Sequence, residues 1–139
     1  MLVGAVLCAT AACGPGDLKN ATAPSTTSWQ EPESYDYTLT SATQVLAGTF
    51  RVKVRDGKVV RAVGLDKDSR RQAHDLLDEV PTVGDLLKRL AKARSDEADT
   101  AEAEYAADGQ PLRITLDWDK NAIDDEALYV ISSFRTTAP

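Results

Sequence analysis

The segment from residue 48 to residue 66 constrains the fold most, because apolar and basic side chains alternate along it up to a two-residue turn. Alternation with a period of two places successive side chains on opposite faces of a strand. The apolar positions are Phe50, Val52 and Val54, and the basic positions are Arg51, Lys53 and Arg55. The segment therefore predicts a half-buried β-strand with one apolar face and one basic face.

An Asp-Gly pair at residues 56–57 follows this strand and predicts a tight hairpin turn, because both central positions of such a turn take positive φ. The return strand is expected to place Val59, Val63 and Leu65 on one face. Strands joined by a two-residue turn pair antiparallel. The hairpin is thus one unit of an antiparallel sheet.

Further strands are predicted on both sides of a helical region. Alternating patterns occur at residues 35–40, 103–105, 111–118 and 127–134. Between them, residues 69–80 have the apolar spacing of a short helix, with Ser69 and Gln72 as its capping box. After a proline, the principal helix is expected to begin with Thr82 as N-cap and Asp85 three residues later.

These elements predict a single α+β domain over residues 29–139. The expected architecture is an antiparallel sheet of about six strands, in the order three strands, helical region, three strands, with one main helix packed on one face. A chain of 139 residues with 42 % apolar residues is sufficient for one modest core.

The N-terminal thirteen residues, MLVGAVLCATAAC, are apolar or small. The run is shorter than the roughly 20 apolar residues of a membrane-spanning helix, and it predicts a signal peptide over residues 1–12. The sequence TAAC resembles the lipobox of bacterial lipoproteins, which implies lipidation at Cys13. Thr10 departs from the usual aliphatic residue, and no basic residue precedes the run. A cleaved secretion signal with an incidental cysteine is therefore the alternative.

Residues 13–28 are rich in Gly, Pro, Ser and Thr and predict a flexible tether. The expected location is the extracytoplasmic side of the cell membrane, held by the lipid, or otherwise the secreted fraction. The net charge of −6 argues against nucleic acid and against anionic lipid headgroups as partners, since binding phosphates needs a basic patch. Membrane contact is expected through the lipid anchor only, and the expected partner is an envelope protein.

The segment DWDKNAIDDE at residues 117–126 raises the question of a cation site. Its first residues have the D-x-D-x-N spacing that opens a calcium-binding EF-hand loop, but alanine at position 122 and leucine at position 128 break the match. The candidate ligands for a different Ca²⁺ geometry are Asp117, Asp119, Asn121, Asp124 and Glu126. The alternative is a structural hairpin loop whose acids stay in water.

No catalytic constellation is visible in the sequence. His74 is the only histidine, and nothing in the spacing brings it to a nucleophile such as Ser69, Ser132 or Ser133. His74 is expected to be an exposed helix residue. We expect no cofactor other than Ca²⁺. Several of the aromatic residues are expected to fill the core, with a small-ligand groove as the alternative and with Trp29 as an exception at the junction of tether and domain; the residues concerned are Trp29, Tyr35, Tyr37, Trp118 and Tyr129.

Several segments together resemble domain-of-unknown-function family 6174 of bacteria: YDYTL (35–39), GTFRVKVRDGKVV (48–60), VPTVGDLL (80–87) and YAADGQPLRITLDWDKNAIDDEALYVISSF (105–134). The resemblance implies a small secreted or lipid-anchored protein and supplies no mechanism. The leading expectation is a non-enzymatic adaptor that binds an envelope protein through a sheet face or an edge strand. The alternatives are a small-ligand or Ca²⁺ carrier and a hydrolase that uses carboxylates of the acidic loop.

Overall fold

The structure, a computed structural model, describes residues 29–138. Its strands are β1 (Tyr35–Ala42), β2 (Ala47–Arg55), β3 (Lys58–Gly64), β4 (Thr100–Tyr105), β5 (Pro111–Asp117) and β6 (Glu126–Thr136). Between β3 and β4 lie α1 (Lys67–Asp75), a 3₁₀ turn (Leu77–Glu79) and α2 (Val83–Ser95). No helix in this part of the chain is long and apolar enough to cross a membrane. The predicted signal peptide (1–12), Cys13 and the tether (13–28) lie outside the described residues.

The six strands form one antiparallel sheet in the order β3-β2-β1-β6-β5-β4. The first and last strands of the chain, β1 and β6, are therefore neighbours at the centre. Their pairing joins the hairpin of β2 and β3 to the hairpin of β4 and β5. The prediction of an antiparallel sheet of about six strands in an α+β fold is confirmed.

Two α-helices, rather than one main helix, pack on the sheet. α1 contacts β2 and β3, whereas α2 contacts β4 and β5. Six strands spaced by about 4.8 Å make a sheet roughly 24 Å wide, and one helix with its side chains covers only about 10 Å. Two helices side by side are thus needed to cover one face, and the opposite face of the sheet is open.

The hydrophobic core lies between the helices and the covered sheet face. Its fully buried members include Tyr35, Tyr37, Leu39, Phe50, Val52, Val54, Val83, Leu86, Ile114 and Leu116. Of the aromatic residues considered for the core, Tyr35, Tyr37 and Tyr129 are buried there. Trp29 packs edge-on against Phe134 with ring centroids 5.9 Å apart, while Trp118 is 38 % exposed.

The N-terminus of α2 is held by side chains from the segment that leads into β1. The Val83 N–H donates to the Tyr35 hydroxyl at 2.8 Å, and the Gly84 N–H donates to the Glu31 carboxylate at 2.9 Å. The Tyr35 hydroxyl itself donates to Glu31. Burial and the neighbouring Glu31 raise the pKa of Tyr35 well above its ordinary value, so the donor proton is retained.

Glycine at residue 84 leaves room for the Glu31 carboxylate in this contact. A Cβ at Gly84 would lie 1.9 Å from a Glu31 carboxylate oxygen. A negative carboxylate at a helix N-terminus also interacts favourably with the helix dipole. The predicted capping box of α2 is confirmed, because the Asp85 N–H donates to the Thr82 hydroxyl and the Thr82 N–H donates to Asp85.

The capping box of α1 was predicted at the wrong residues. Asp66, not Ser69, is the N-cap, and its carboxylate accepts from the Ser69 N–H at 2.8 Å. Ser69 occupies the third helical position and closes the box from there. α1 begins this early because the chain packs tightly against β3. A Cβ at Gly64 would lie 2.0 Å from the Ser69 carbonyl carbon.

Two of the three residues that were predicted on the apolar face of the return strand do not face the core. Val59 is partly buried opposite Val54, but Val63 and Leu65 are exposed by 36 % and 47 %. A register shift between Lys53 and Val54 inserts one extra residue into β3. One extra residue reverses which side chains face the core, since strand side chains alternate with a period of two.

Replacing Tyr35 with phenylalanine is expected to lower the free energy of unfolding by about 1–3 kcal/mol. The change leaves the buried Val83 N–H without its acceptor and removes one of the two donors to the Glu31 carboxylate, and an unsatisfied buried group bears its full desolvation cost. Urea denaturation followed by tryptophan fluorescence measures the loss.

Tyr105→Phe is the matched control, because the Tyr105 hydroxyl makes no hydrogen bond to any residue between 29 and 138. This control should change stability by less than about 0.5 kcal/mol. Equal effects of the two substitutions would contradict the assigned role of Tyr35.

Candidate functional site

The acidic loop between β5 and β6 is held largely by its own carboxylates. The Asp119 N–H donates to Asp125 at 2.8 Å, and the Asn121 N–H donates to Asp119 at 2.9 Å. The Lys120 N–H donates at 2.9 Å to Asp99, which directly precedes β4. These bonds fix the loop backbone in the way that aspartate side chains commonly stabilise turns.

Four carboxylates come together at the end of β5. Loss of water contact, followed by the charges of Asp125, Asp99 and Asp119, raises the pKa of Asp117 above its ordinary value. One carboxylate oxygen of Asp117 and one of Asp125 are buried without a hydrogen-bond partner in the described part of the chain. The cluster thus concentrates negative charge that its own surroundings do not neutralise.

The five residues predicted as Ca²⁺ ligands lie in two different places in the structure. Asp117 and Asp119 belong to the carboxylate cluster, and Asn121 contacts it by donating its side-chain amide to Asp119 at 3.0 Å. Asp124 and Glu126 instead line a shallow groove of about 540 Å³ against the β1–β2 turn. Among residues 29–138, no three His, Cys, Asp or Glu side chains are arranged so that they could hold a metal ion.

Asp99 and Asp125 are the cluster members that the candidate ligand set lacked. Asp125 lies inside the predicted loop, next to the chosen Asp124, and sequence spacing does not distinguish the two. Asp124 has a φ of 79°, so the backbone turns sharply there. Asp99 directly precedes β4 and reaches the loop through the pairing of β4 with β5, which no local sequence pattern indicates.

A second candidate site is a groove of about 370 Å³ along the outer edge of the sheet, between β3 and α1. We call it the β3–α1 groove. Its apolar surface comes from β3 and from Ala73 and Leu77, while Arg61, Arg70 and His74 contribute polar and basic groups. Val60 is 53 % exposed there. This groove was not predictable from the sequence, since no local pattern shows that β3 is an edge strand.

The two edges of the sheet differ in their protection. β4 carries Glu102 and Glu104, and the Arg94 guanidinium donates to the Ala101 carbonyl at 3.2 Å. Charged residues and occupied backbone groups discourage pairing of an edge strand with another chain. β3 also carries charged residues, Lys58 and Arg61, and a bulge, but it exposes Val60 and Val63, whereas β4 exposes no large apolar side chain. β3 is thus the edge that is better suited to accept a further strand.

His74 is an exposed helix residue, as predicted, with 89 % of its side chain accessible. Its Nδ1 lies 2.7 Å from an Asp75 carboxylate oxygen. Ser69, one of the nucleophiles considered, is buried at the start of α1, where its hydroxyl bonds to Asp66. The structure therefore gives Ser69 a structural role in the helix cap.

Replacing Asp117 with asparagine is expected to raise the melting temperature at pH 7 and to have little effect near pH 3. A folded-state pKa above the unfolded one means that the protonated form favours folding, and this stabilisation is lost as the pH rises through the folded pKa. The asparagine carries no charge at either pH. Thermal melts of both proteins across this pH range provide the measurement.

Asp78→Asn makes the same chemical change in an exposed carboxylate away from the cluster. It should leave the melting temperature nearly unchanged at both pH values. A wild-type protein that is more stable at pH 7 than the Asp117→Asn variant would contradict the predicted repulsion.

Comparison with known proteins assigns the chain to a family. The model of a family of unknown function, DUF6174, matches residues 21–136. No curated protein and no solved structure matches the chain. The match spans all six strands and both helices. The chain therefore belongs to the DUF6174 family.

Proposed function

We propose that this protein is a non-enzymatic adaptor that binds an extended segment of another envelope protein along the β3–α1 groove. The observation that carries the proposal is an edge strand, β3, that exposes Val60 and Val63 and has a groove beside it. A peptide that adds to a sheet edge gains backbone hydrogen bonds from the strand and specificity from side-chain contacts in the groove.

The surface of the groove supports a partner of defined chemistry. Val60 and Val63 offer apolar area that is already exposed, so a bound segment with small aliphatic side chains would remove this area from water. Arg61 and Arg70 border the same groove. An acidic or carboxyl-terminal group on the partner would complement these guanidinium groups.

We further propose that the domain is held at the extracytoplasmic face of the cell membrane. The support is the sequence: residues 1–12 have the composition of a signal peptide, and TAAC precedes a cysteine suited to lipidation, Cys13. A lipid anchor would confine the groove to a thin layer above the membrane, where envelope proteins are concentrated. Secretion of the unlipidated protein is the alternative.

Crosslinking in intact cells tests the adaptor role. A photoreactive side chain at position 60, in the full chain with a C-terminal tag, should capture one envelope protein in near one-to-one yield. The matched control places the same group at Val45, which is 58 % exposed on the β1–β2 turn. Val60→Asp should weaken binding of the captured partner about tenfold or more, whereas Val45→Asp should not.

A Cys13→Ala version of the chain separates the anchor from the groove. Loss of the crosslink in cells, with binding of the purified partner retained, would show that the anchor serves only to locate the domain. Equal capture at positions 45 and 60, or no protein captured at either, would contradict the proposed adaptor role.

A second candidate function is Ca²⁺ binding at the acidic loop. The specific observation in its favour is the pair of buried, unpartnered oxygens on Asp117 and Asp125. Oxygen ligands from carboxylates suit Ca²⁺, and an ion would offset their mutual repulsion. Asp99 and Asp119 would complete such a site only after side-chain rearrangement, because the present arrangement holds no metal-binding group of three.

Ca²⁺ titration during thermal unfolding tests this candidate. Free Ca²⁺ at one hundred times its dissociation constant should stabilise the protein by about 2.7 kcal/mol. Asp117→Asn should abolish the effect, and Asp78→Asn should retain it. An unchanged melting temperature in millimolar Ca²⁺ would rule this candidate out, since sites in extracellular modules bind in the range of about 10⁻⁴–10⁻³ M.

A further inference from the structure

The register of the sheet collects basic side chains on its open face. Arg61 on β3 pairs with Lys53 on β2, which pairs with Asp36 on β1, which pairs with Arg135 on β6. Directly paired residues share a face of the sheet. A row of three basic residues and one acidic residue therefore crosses four neighbouring strands.

Two more arginines extend this row into a patch. Arg51 and Arg55 flank Lys53 on the open face of β2, and we define the basic patch as Arg51, Lys53, Arg55, Arg61 and Arg135. Asp36 is paired with Arg55 at 2.9 Å and with Lys53 at 3.8 Å. The other three arginines are exposed and form no ion pair within residues 29–138.

The whole chain has a net charge of −6 although this patch is basic, so acidic residues outnumber basic residues outside the patch. Asp117 and Glu126 pair at the other end of the sheet, and the carboxylate cluster of the acidic loop lies beyond them. The eight residues of β1 span about 26 Å between the two ends. The open face of β1, β2 and β6 thus carries its basic residues toward the Tyr35 end of β1 and its acidic residues toward the acidic loop, and we call these the basic end and the acidic end of this face.

The chain enters the domain at the basic end. Trp29 packs against Phe134 close to the start of β1, and Arg135 is the next residue of β6. Cys13 precedes Trp29 by 16 residues, and a chain of that length reaches at most about 55 Å. This reach is about twice the length of β1, so an anchor at Cys13 allows the basic end to contact the membrane, and the charge of the patch would have to select that orientation.

We propose that the basic patch is a contact surface for anionic phospholipid headgroups, which orients the domain with its acidic loop away from the bilayer. The proposal extends the proposed lipid anchoring at Cys13, but the patch acts by charge alone. Asp117 and Glu126 lie on the same open face at its far end. A domain tilted so that the entry end of this face is lowest would bring the unpaired guanidinium groups to the headgroups, where they can bind phosphates, and would raise the acidic end away from them. The net charge of the chain conceals this patch, because net charge averages over both ends of the domain.

Vesicle binding by the full chain with Cys13→Ser tests the proposal without a lipid anchor. The quantity measured is the partition coefficient on vesicles with 30 % phosphatidylglycerol, divided by that on pure phosphatidylcholine. Any apolar contribution from the N-terminal residues cancels in this ratio. Arg51→Thr, Lys53→Thr and Arg135→Thr together should lower the ratio about a hundredfold, as expected for three charges near an anionic surface.

The matched control removes three positive charges elsewhere, with Lys88→Gln, Lys92→Gln and Lys120→Gln, and should keep the ratio within threefold of the parent value. The double variant Arg51→Lys, Arg135→Lys retains both charges and should also keep the ratio within threefold of the parent value. This variant separates loss of charge from misfolding. Salt at 1 M should remove the preference, because it shortens the screening length to about 3 Å.

A ratio near one for the parent chain, or equal losses in the patch and control variants, would overturn the proposal. The adaptor role would be unaffected by that result, because the substituted residues do not line the β3–α1 groove. Conversely, a charge-dependent ratio together with failed crosslinking at position 60 would leave membrane contact established and the adaptor role rejected.

Discussion

The hydrogen bonds at the N-terminus of α2 join the helix to the start of β1, which is about 50 residues earlier in the sequence. Glu31 comes from the segment before β1, Tyr35 from the central strand, and Val83 and Gly84 from the helix. Tyr37 adds a bond to the Pro81 carbonyl. Because these polar groups are mostly buried, each depends on the others for its hydrogen bonds. The position of α2 over the sheet therefore depends on this set of bonds.

The position of the helices determines which surfaces remain for binding. Both helices cover the same face, so the other face of the sheet stays in solvent and can be polar. α1 also lies beside β3, where its side chains turn an edge strand into one wall of a groove. The same packing that builds the core thus creates both the β3–α1 groove and the open face that carries the basic patch.

The two proposed surfaces are compatible with one arrangement at a membrane. The basic patch occupies the open face near the point where the chain enters, and the groove follows the sheet edge beside it. Arg61 borders both surfaces. Contact of the open face with headgroups would leave the outer edge of β3 directed sideways and α1 on the side away from the bilayer, so that a neighbouring envelope protein could supply an extended segment to the groove between them.

Local features of the fold were predictable because they depend on residues that are close in sequence. The hairpin turn at residues 56–57 and the α2 cap at Thr82 and Asp85 follow from turn and capping chemistry. The family resemblance likewise rests on segments that can be read directly, and the family match confirms it. For the candidate site, the sequence correctly located an acidic loop between two strands, and Asp117 and Asp119 belong to its carboxylate cluster.

Other features were decided only by tertiary structure. The bulge that exposes Val63 depends on how β3 pairs with β2, and Asp99 reaches the loop only because β4 pairs with β5. The basic patch likewise exists because strand register aligns residues as distant as Lys53 and Arg135 around Asp36. The sequence by itself determined the elements and their local ends, since these depend on backbone geometry within a few residues. Pairing between distant strands decided which side chains share a surface, because that depends on long-range packing of the whole core.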